Sequence, residues 1–100
     1  MSTLWAVRCL DAPGTAERRQ AARPEHSRRL RATVRPRPIL YGPLVADDGE
    51  GAVGSLLIVE AEDRAEVEKF FAEDPFTLGG VWQSVEVHAF APSQSSPHRL

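Results

Sequence analysis

The segment Gly54-Ser55-Leu56-Leu57-Ile58-Val59-Glu60-Ala61 is apolar on both of its alternating faces through its middle. Side chains of a strand point alternately to its two sides, so such a run belongs in the middle of a sheet with cover above and below. A chain of 100 residues has material for one domain and one core. Two short helices can cover one face and little is left for the other, which predicts a homodimer with a second copy on the open face.

The remaining segments supply the rest of that sheet. Leu4-Trp5-Ala6-Val7-Arg8-Cys9-Leu10 is an apolar run closed by Asp11-Ala12-Pro13-Gly14, as expected of a largely buried strand and a turn. Residues 15–35 are rich in Ala, Arg and Glu and poor in strand formers, which predicts helix, with Pro24 opening a second helical segment. On that segment His26, Leu30 and Thr33 share one face. Ile39 to Val45 reads as a strand that Pro36, Pro38 and Pro43 assign to a sheet edge, because proline cannot donate to the ladder. Asp63 with Glu66 three residues on predicts an N-cap, followed by a helix with Val67, Phe70 and Phe71 on its apolar stripe. Strict alternation from Val81 to Phe90 puts Val81, Gln83, Val85, Val87 and Ala89 on one face and Trp82, Ser84, Glu86, His88 and Phe90 on the other. The order strand, helix, strand, strand, helix, strand predicts a ferredoxin-like α+β sandwich, a four-stranded antiparallel sheet with two helices on one face. Residues 1–91 form its single domain, and residues 92–100, without apolar periodicity, are expected to be a disordered tail.

Charge narrows the functional classes. Residues 1–44 hold nine Arg against three acids, +6, whereas residues 45–90 hold eleven acids against Arg64 and Lys69, −9. The basic half is not accompanied by a nucleic-acid-binding motif, so no nucleic-acid partner is expected. Asp47-Asp48-Gly49-Glu50-Gly51 has neither the spacing nor the bidentate Glu of a calcium loop and reads as a solvated hairpin, so no metal is expected. A dinucleotide fingerprint, a P-loop and a nucleophile elbow are all missing, so no cofactor is expected. The single cysteine, Cys9, excludes an internal disulfide and suits a buried strand position. Together with the lack of an apolar leader or a bilayer-length run, it leads us to expect a cytoplasmic protein with no membrane partner.

Chemistry is concentrated around Ala72-Glu73-Asp74-Pro75-Phe76-Thr77-Leu78-Gly79-Gly80-Val81. Pro75 disfavours helical backbone at Asp74, so a carboxylate is held at a helix terminus, and the two glycines permit a tight corner into the last strand. The residues alone also fit a plain helix stop at Asp74 and a hydrogen-bonded packing role for His26. If the two side chains meet, the carboxylate holds one ring nitrogen as a donor and leaves the other free as a base.

The separated pieces Arg23-Pro24-Glu25-His26 with Arg29-Leu30, Gly42-Pro43-Leu44, Gly54-Ser55, Asp74-Pro75-Phe76 and Gly79-Gly80-Val81 resemble, in order and spacing, the YCII-related (YciI-like) proteins. The resemblance implies a bacterial protein with a dimeric α+β barrel and an active-site pair at His26 and Asp74. A dehydrochlorinase of chlorinated hydroxyquinols and the muconolactone isomerases have similar scaffolds. The expected function is therefore small-molecule proton-transfer chemistry, lyase or isomerase in type, on a small anionic organic ligand. Arg23 and Arg29 are candidates to hold the anion, and Tyr41, Ser55 and Phe76 to line the pocket. The competing reading is a non-catalytic dimeric module that binds a metabolite or a protein partner.

Overall fold

The computed structural model describes residues 2–100. In chain order the elements are β1 (Thr3–Asp11), α1 (Ala16–Ala32), β2 (Arg37–Val45), β3 (Ala52–Ala61), α2 (Arg64–Ala72), α3 (Pro75–Leu78) and β4 (Trp82–Phe90). The strands form one antiparallel sheet in the order β2-β3-β1-β4. The proline-rich strand is at an edge and the doubly apolar strand is interior, for the reasons given by their sequences.

One face of the sheet carries the core. Trp5, Val7 and Cys9 of β1 lie opposite Val59, Leu57 and Ser55 of β3, and Leu30 of α1, Val67 and Phe71 of α2 and Phe76 of α3 pack on them. Removing a side chain such as Phe71 from water contributes about 1.5–3 kcal/mol. The Asp63 carboxylate accepts the Glu66 backbone N–H at 2.9 Å, capping α2 as its sequence predicts. On the opposite face Leu40 is 59% exposed and Leu56 41% exposed, and Phe90 is exposed at the far edge. No helix among the described residues is long and apolar enough to cross a membrane. Residues 91–100 contain no helix or strand.

Three local expectations are corrected. The first is the helix break at Pro24: α1 continues through it as one helix. Proline removes the N–H that would reach the Gln20 carbonyl, but Ala22 packs on the core before it and His26 and Leu30 are buried after it, so tertiary packing outweighs one lost bond. The second is the tight corner after Asp74, which contains the one-turn helix α3; only Gly80 then needs a positive φ, at +72°. The third concerns Trp82, which simple alternation places on the face of Glu86 and His88, opposite Val81 and Val87. Leu10 pairs with Ser84 but Asp11 pairs with Trp82, so β4 advances two residues against one on β1. That bulge turns the indole inward, where it is buried against Phe71 and Phe76. His88 lies on the exposed side, as its position in the strand predicts.

Cys9 sits in the core, and burial, followed by the nearby Asp74 and Asp11 carboxylates, pushes its thiol up to about 12. The folded state therefore keeps the proton while the unfolded chain loses it from the ordinary value of 9.0 upward. This contribution to stability is complete below that value and is lost as pH rises toward the folded one. A thiol reagent at pH 8 should label Cys9 only at the rate of unfolding; rapid stoichiometric labelling of native protein would contradict this placement.

Candidate active site

The site begins where α2 ends. Pro75 forces Asp74 into extended backbone, φ −67° and ψ 140°, and makes it the N-cap of α3, with its Oδ1 accepting the Phe76 backbone N–H at 2.8 Å. The carboxylate is fully buried. His26, one turn before Leu30 on the inward stripe of α1, places its Nδ1 2.9 Å from both Asp74 oxygens. An ionised carboxylate can only accept, so Nδ1 donates, and in the neutral ring Nε2 then keeps its lone pair. Nε2 makes no hydrogen bond to the described protein residues, and the His26 ring forms part of a cavity wall.

Aromatic rings fix the imidazole plane. His26 stacks on Phe76 with centroids 4.0 Å apart and planes 20° apart, and meets Trp82 edge-on at 5.7 Å. The Arg19 guanidinium also lies over Phe76, 4.6 Å from its centroid. Arg19 and His26 are seven residues apart, about 10 Å along α1, and Phe76 contacts both.

The cavity has a volume of about 490 Å³, within the range of small-molecule sites. It lies between α1 and the β2–β3 half of the sheet, with the core residue Phe76 in its wall. Of the seven residues singled out in the sequence, Arg23, His26, Tyr41, Ser55 and Phe76 line it directly. Asp74 stands behind His26. Arg29 does not line the cavity, contrary to its expected ligand-holding position. Its Nη1 donates to the Phe70 carbonyl at 2.7 Å and lies 3.9 Å from Asp74 Oδ2, its Nη2 is 3.7 Å from Glu73, and it stacks over Phe70. Arg29 is the residue three positions after His26, so the helical turn that points the histidine inward turns Arg29 toward α2, where it helps to neutralise the buried carboxylate.

Arg19 was not legible as a site residue and is among the best-anchored groups here. Its Nη1 donates to both Asp11 oxygens at 2.8 and 2.9 Å, and its Nη2 donates to the Gly54 carbonyl at 3.0 Å and to Ser55 Oγ at 2.9 Å. The signal was its spacing, because Arg19, Arg23 and His26 follow i, i+4, i+7 on one helix face. Gly54 is required at this point: a Cβ there would fall 2.2 Å from the Cys9 carbonyl oxygen. No group of three or more potential metal ligands occurs among the described residues.

The Arg19 and Asp11 side chains are each only about a tenth exposed, so breaking the pair leaves a shielded charge alone. Arg19→Gln should destabilise the protein by about 3–5 kcal/mol in urea denaturation, and Arg19→Lys, which keeps the charge but loses the fork, should cost less. Equal stability of Arg19→Gln and wild type would contradict this account.

Residues 3–91 match the YCII-related domain family. An uncharacterised protein of Haemophilus influenzae is 34% identical over 92 residues, which span 86% of this chain and 94% of the relative. Among solved structures, the 5-chloro-2-hydroxyhydroquinone dehydrochlorinase of Burkholderia phenoliruptrix, in complex with 2,5-dihydroxybenzoquinone, superposes with a TM-score of 0.81 at 27% identity. The match covers 91% of this chain and 96% of that one. A cofactor-independent oxygenase of Streptomyces nogalater shares the fold at 14% identity, with a TM-score of 0.52 and coverage of 97% and 98%. With the family pattern extending from β1 to just past β4, this chain belongs to the YCII-related domain family.

Proposed function

We propose that the protein is a small-molecule enzyme of lyase or isomerase type in which His26 is the proton-transferring base and Asp74 holds it in place. The observation that carries this reading is the 2.9 Å contact of His26 Nδ1 with a fully buried carboxylate, with the imidazole in the wall of a 490 Å³ cavity. A base needs an available lone pair within reach of its substrate, and a carboxylate behind it to stabilise the imidazolium. In the proposed step Nε2 takes a proton from an acidic hydroxyl or carbon of a cyclic substrate. The electron pair left behind enters the ring system, and either a leaving group departs with its bonding pair or the same proton returns at another carbon.

The cavity chemistry favours an anionic ligand. Arg19, Arg23 and His26 are its ionisable cationic or basic groups, and neither Asp nor Glu lines it. Tyr41 supplies aromatic surface for a planar ring, Phe76 backs the wall beneath His26 and Arg19, and Ser55 lies beside the Arg19 guanidinium. The similar Burkholderia enzyme, a dehydrochlorinase seen with a dihydroxybenzoquinone, supports hydroxylated rings as the first class to test.

Incubation with 5-chloro-2-hydroxyhydroquinone should release chloride, and 2,5-dihydroxybenzoquinone should bind saturably and shift the NMR resonances of His26 and Phe76. His26→Asn should reduce turnover by about 10²–10⁴-fold, and Asp74→Asn should reduce kcat while the protein remains folded by circular dichroism. Saturable ring binding with no turnover, and no exchange of substrate protons with deuterated solvent, would favour the non-catalytic binding module.

The exposed apolar face formed by Leu40, Leu56 and Phe90 supports assembly as a homodimer through the open side of the sheet. Sedimentation equilibrium at micromolar concentration should give twice the 11.0 kDa chain mass. A folded species at the single-chain mass would overturn the dimer.

A further inference from the structure

A second concavity, about 310 Å³, opens beside the main cavity and is lined by Gln20, Arg23, Pro24, Ser27 and Arg31. Gln20, Arg23 and Ser27 line both, so the two spaces adjoin along α1. The smaller one contains two arginines and no carboxylate, although the whole chain has net charge −2.

Elsewhere in the fold most arginines are engaged, Arg18 and Arg99 excepted. Arg8 meets Glu86, Arg19 meets Asp11, Arg28 meets Glu25, Arg29 meets Glu73 and Asp74, and Arg35 and Arg37 meet Glu62 and Glu60. Arg64 donates to the Val87 carbonyl. Among the described residues neither Arg23 nor Arg31 has an ion pair or a side-chain hydrogen bond. Each is one helical turn from Ser27, on either side of it, so two guanidinium groups and a hydroxyl donor border the same groove. Planar forks of this kind suit carboxylate and phosphate oxygens.

We infer that this groove is a subsite for an oxyanion, a carboxylate or phosphate substituent, on the same ligand whose ring occupies the main cavity. The inference rests on the proposed use of that cavity by His26. It adds that the ligand has two parts: a planar ring near Phe76 and His26, and an anionic arm running along α1 to Arg23 and Arg31. A bare ring would leave the groove empty. Arg31 then becomes a determinant of specificity at a distance from the proton transfer, acting on binding and not on the chemical step.

Two probes separate the claims. Inorganic pyrophosphate, titrated into the full-length protein at low salt, should shift the backbone NMR signals of Gln20, Arg23, Ser27 and Arg31, and Arg31→Gln should weaken that binding by about 5–30-fold, in keeping with a charge-assisted contact of roughly 1–2 kcal/mol. Shifts absent from these residues, or unchanged affinity in Arg31→Gln, would overturn the anion site. The second probe is 2,5-dihydroxyphenylacetate compared with its methyl ester. Wild type should bind the acid about tenfold more tightly, and Arg31→Gln should erase the difference while leaving ester affinity as it was. Equal binding of acid and ester by wild type would overturn the link between groove and cavity while leaving the ring reading intact. Failure of both compounds to shift His26 or Phe76 would instead count against the ring ligand of the proposed function, and with it the two-part ligand, irrespective of the pyrophosphate result.

Discussion

A carboxylate with no solvent exposure organises this protein. Isolated in the interior, Asp74 would be costly to keep ionised, and the surrounding structure supplies compensation from three groups on two helices. The Phe76 N–H comes from α3, the His26 ring from the middle of α1 and the Arg29 guanidinium from the same helix on the side facing α2. These contacts tie the end of α2 to α1, two segments that approach through side chains and not through the sheet. Removing the carboxylate would loosen a helix junction as well as the proposed proton-transfer pair, so its structural role and its proposed chemical one fall on one group.

The arrangement also sorts the arginines. A basic N-terminal half folded against an acidic C-terminal half distributes most guanidinium groups into ion pairs, many of them exposed and individually worth little. The few that differ are informative. Arg19 is shielded and committed to Asp11, Gly54 and Ser55, which makes it a rigid positive wall. Arg29 is committed to Phe70 and the buried carboxylate. Arg23 and Arg31, on the outward part of the same helix, are uncommitted and border open space. One helix thus presents structural cations inward and available cations along a groove, a division set by the 3.6-residue period.

Much of this was legible in the chain because the relevant signals were local. The apolar run of β3, the prolines of β2 and the Asp63 cap each act within a few residues, and so predicted the interior strand, the edge strand and the helix start. Asp74 was legible for the same reason: Pro75 restricts its backbone regardless of what surrounds it. The inward direction of His26 followed from its place on the stripe with Leu30.

What the sequence could not determine depended on partners distant in the chain. Trp82 became a core residue through a bulge against β1, and register between strands seventy residues apart is set by packing, not by alternation within β4. Pro24 was read as a helix start, yet burial of residues on both sides carried α1 through it. Arg19 and Arg29 carry the same side chain on the same helix, and only the positions of Asp11, Ser55 and Phe70 decided which would face the cavity. The sequence by itself determined the elements, their order and the backbone at Asp74, because those follow from local sterics and periodicity. Tertiary structure alone decided which charges meet and which remain available, because an ion pair is a property of two places in space.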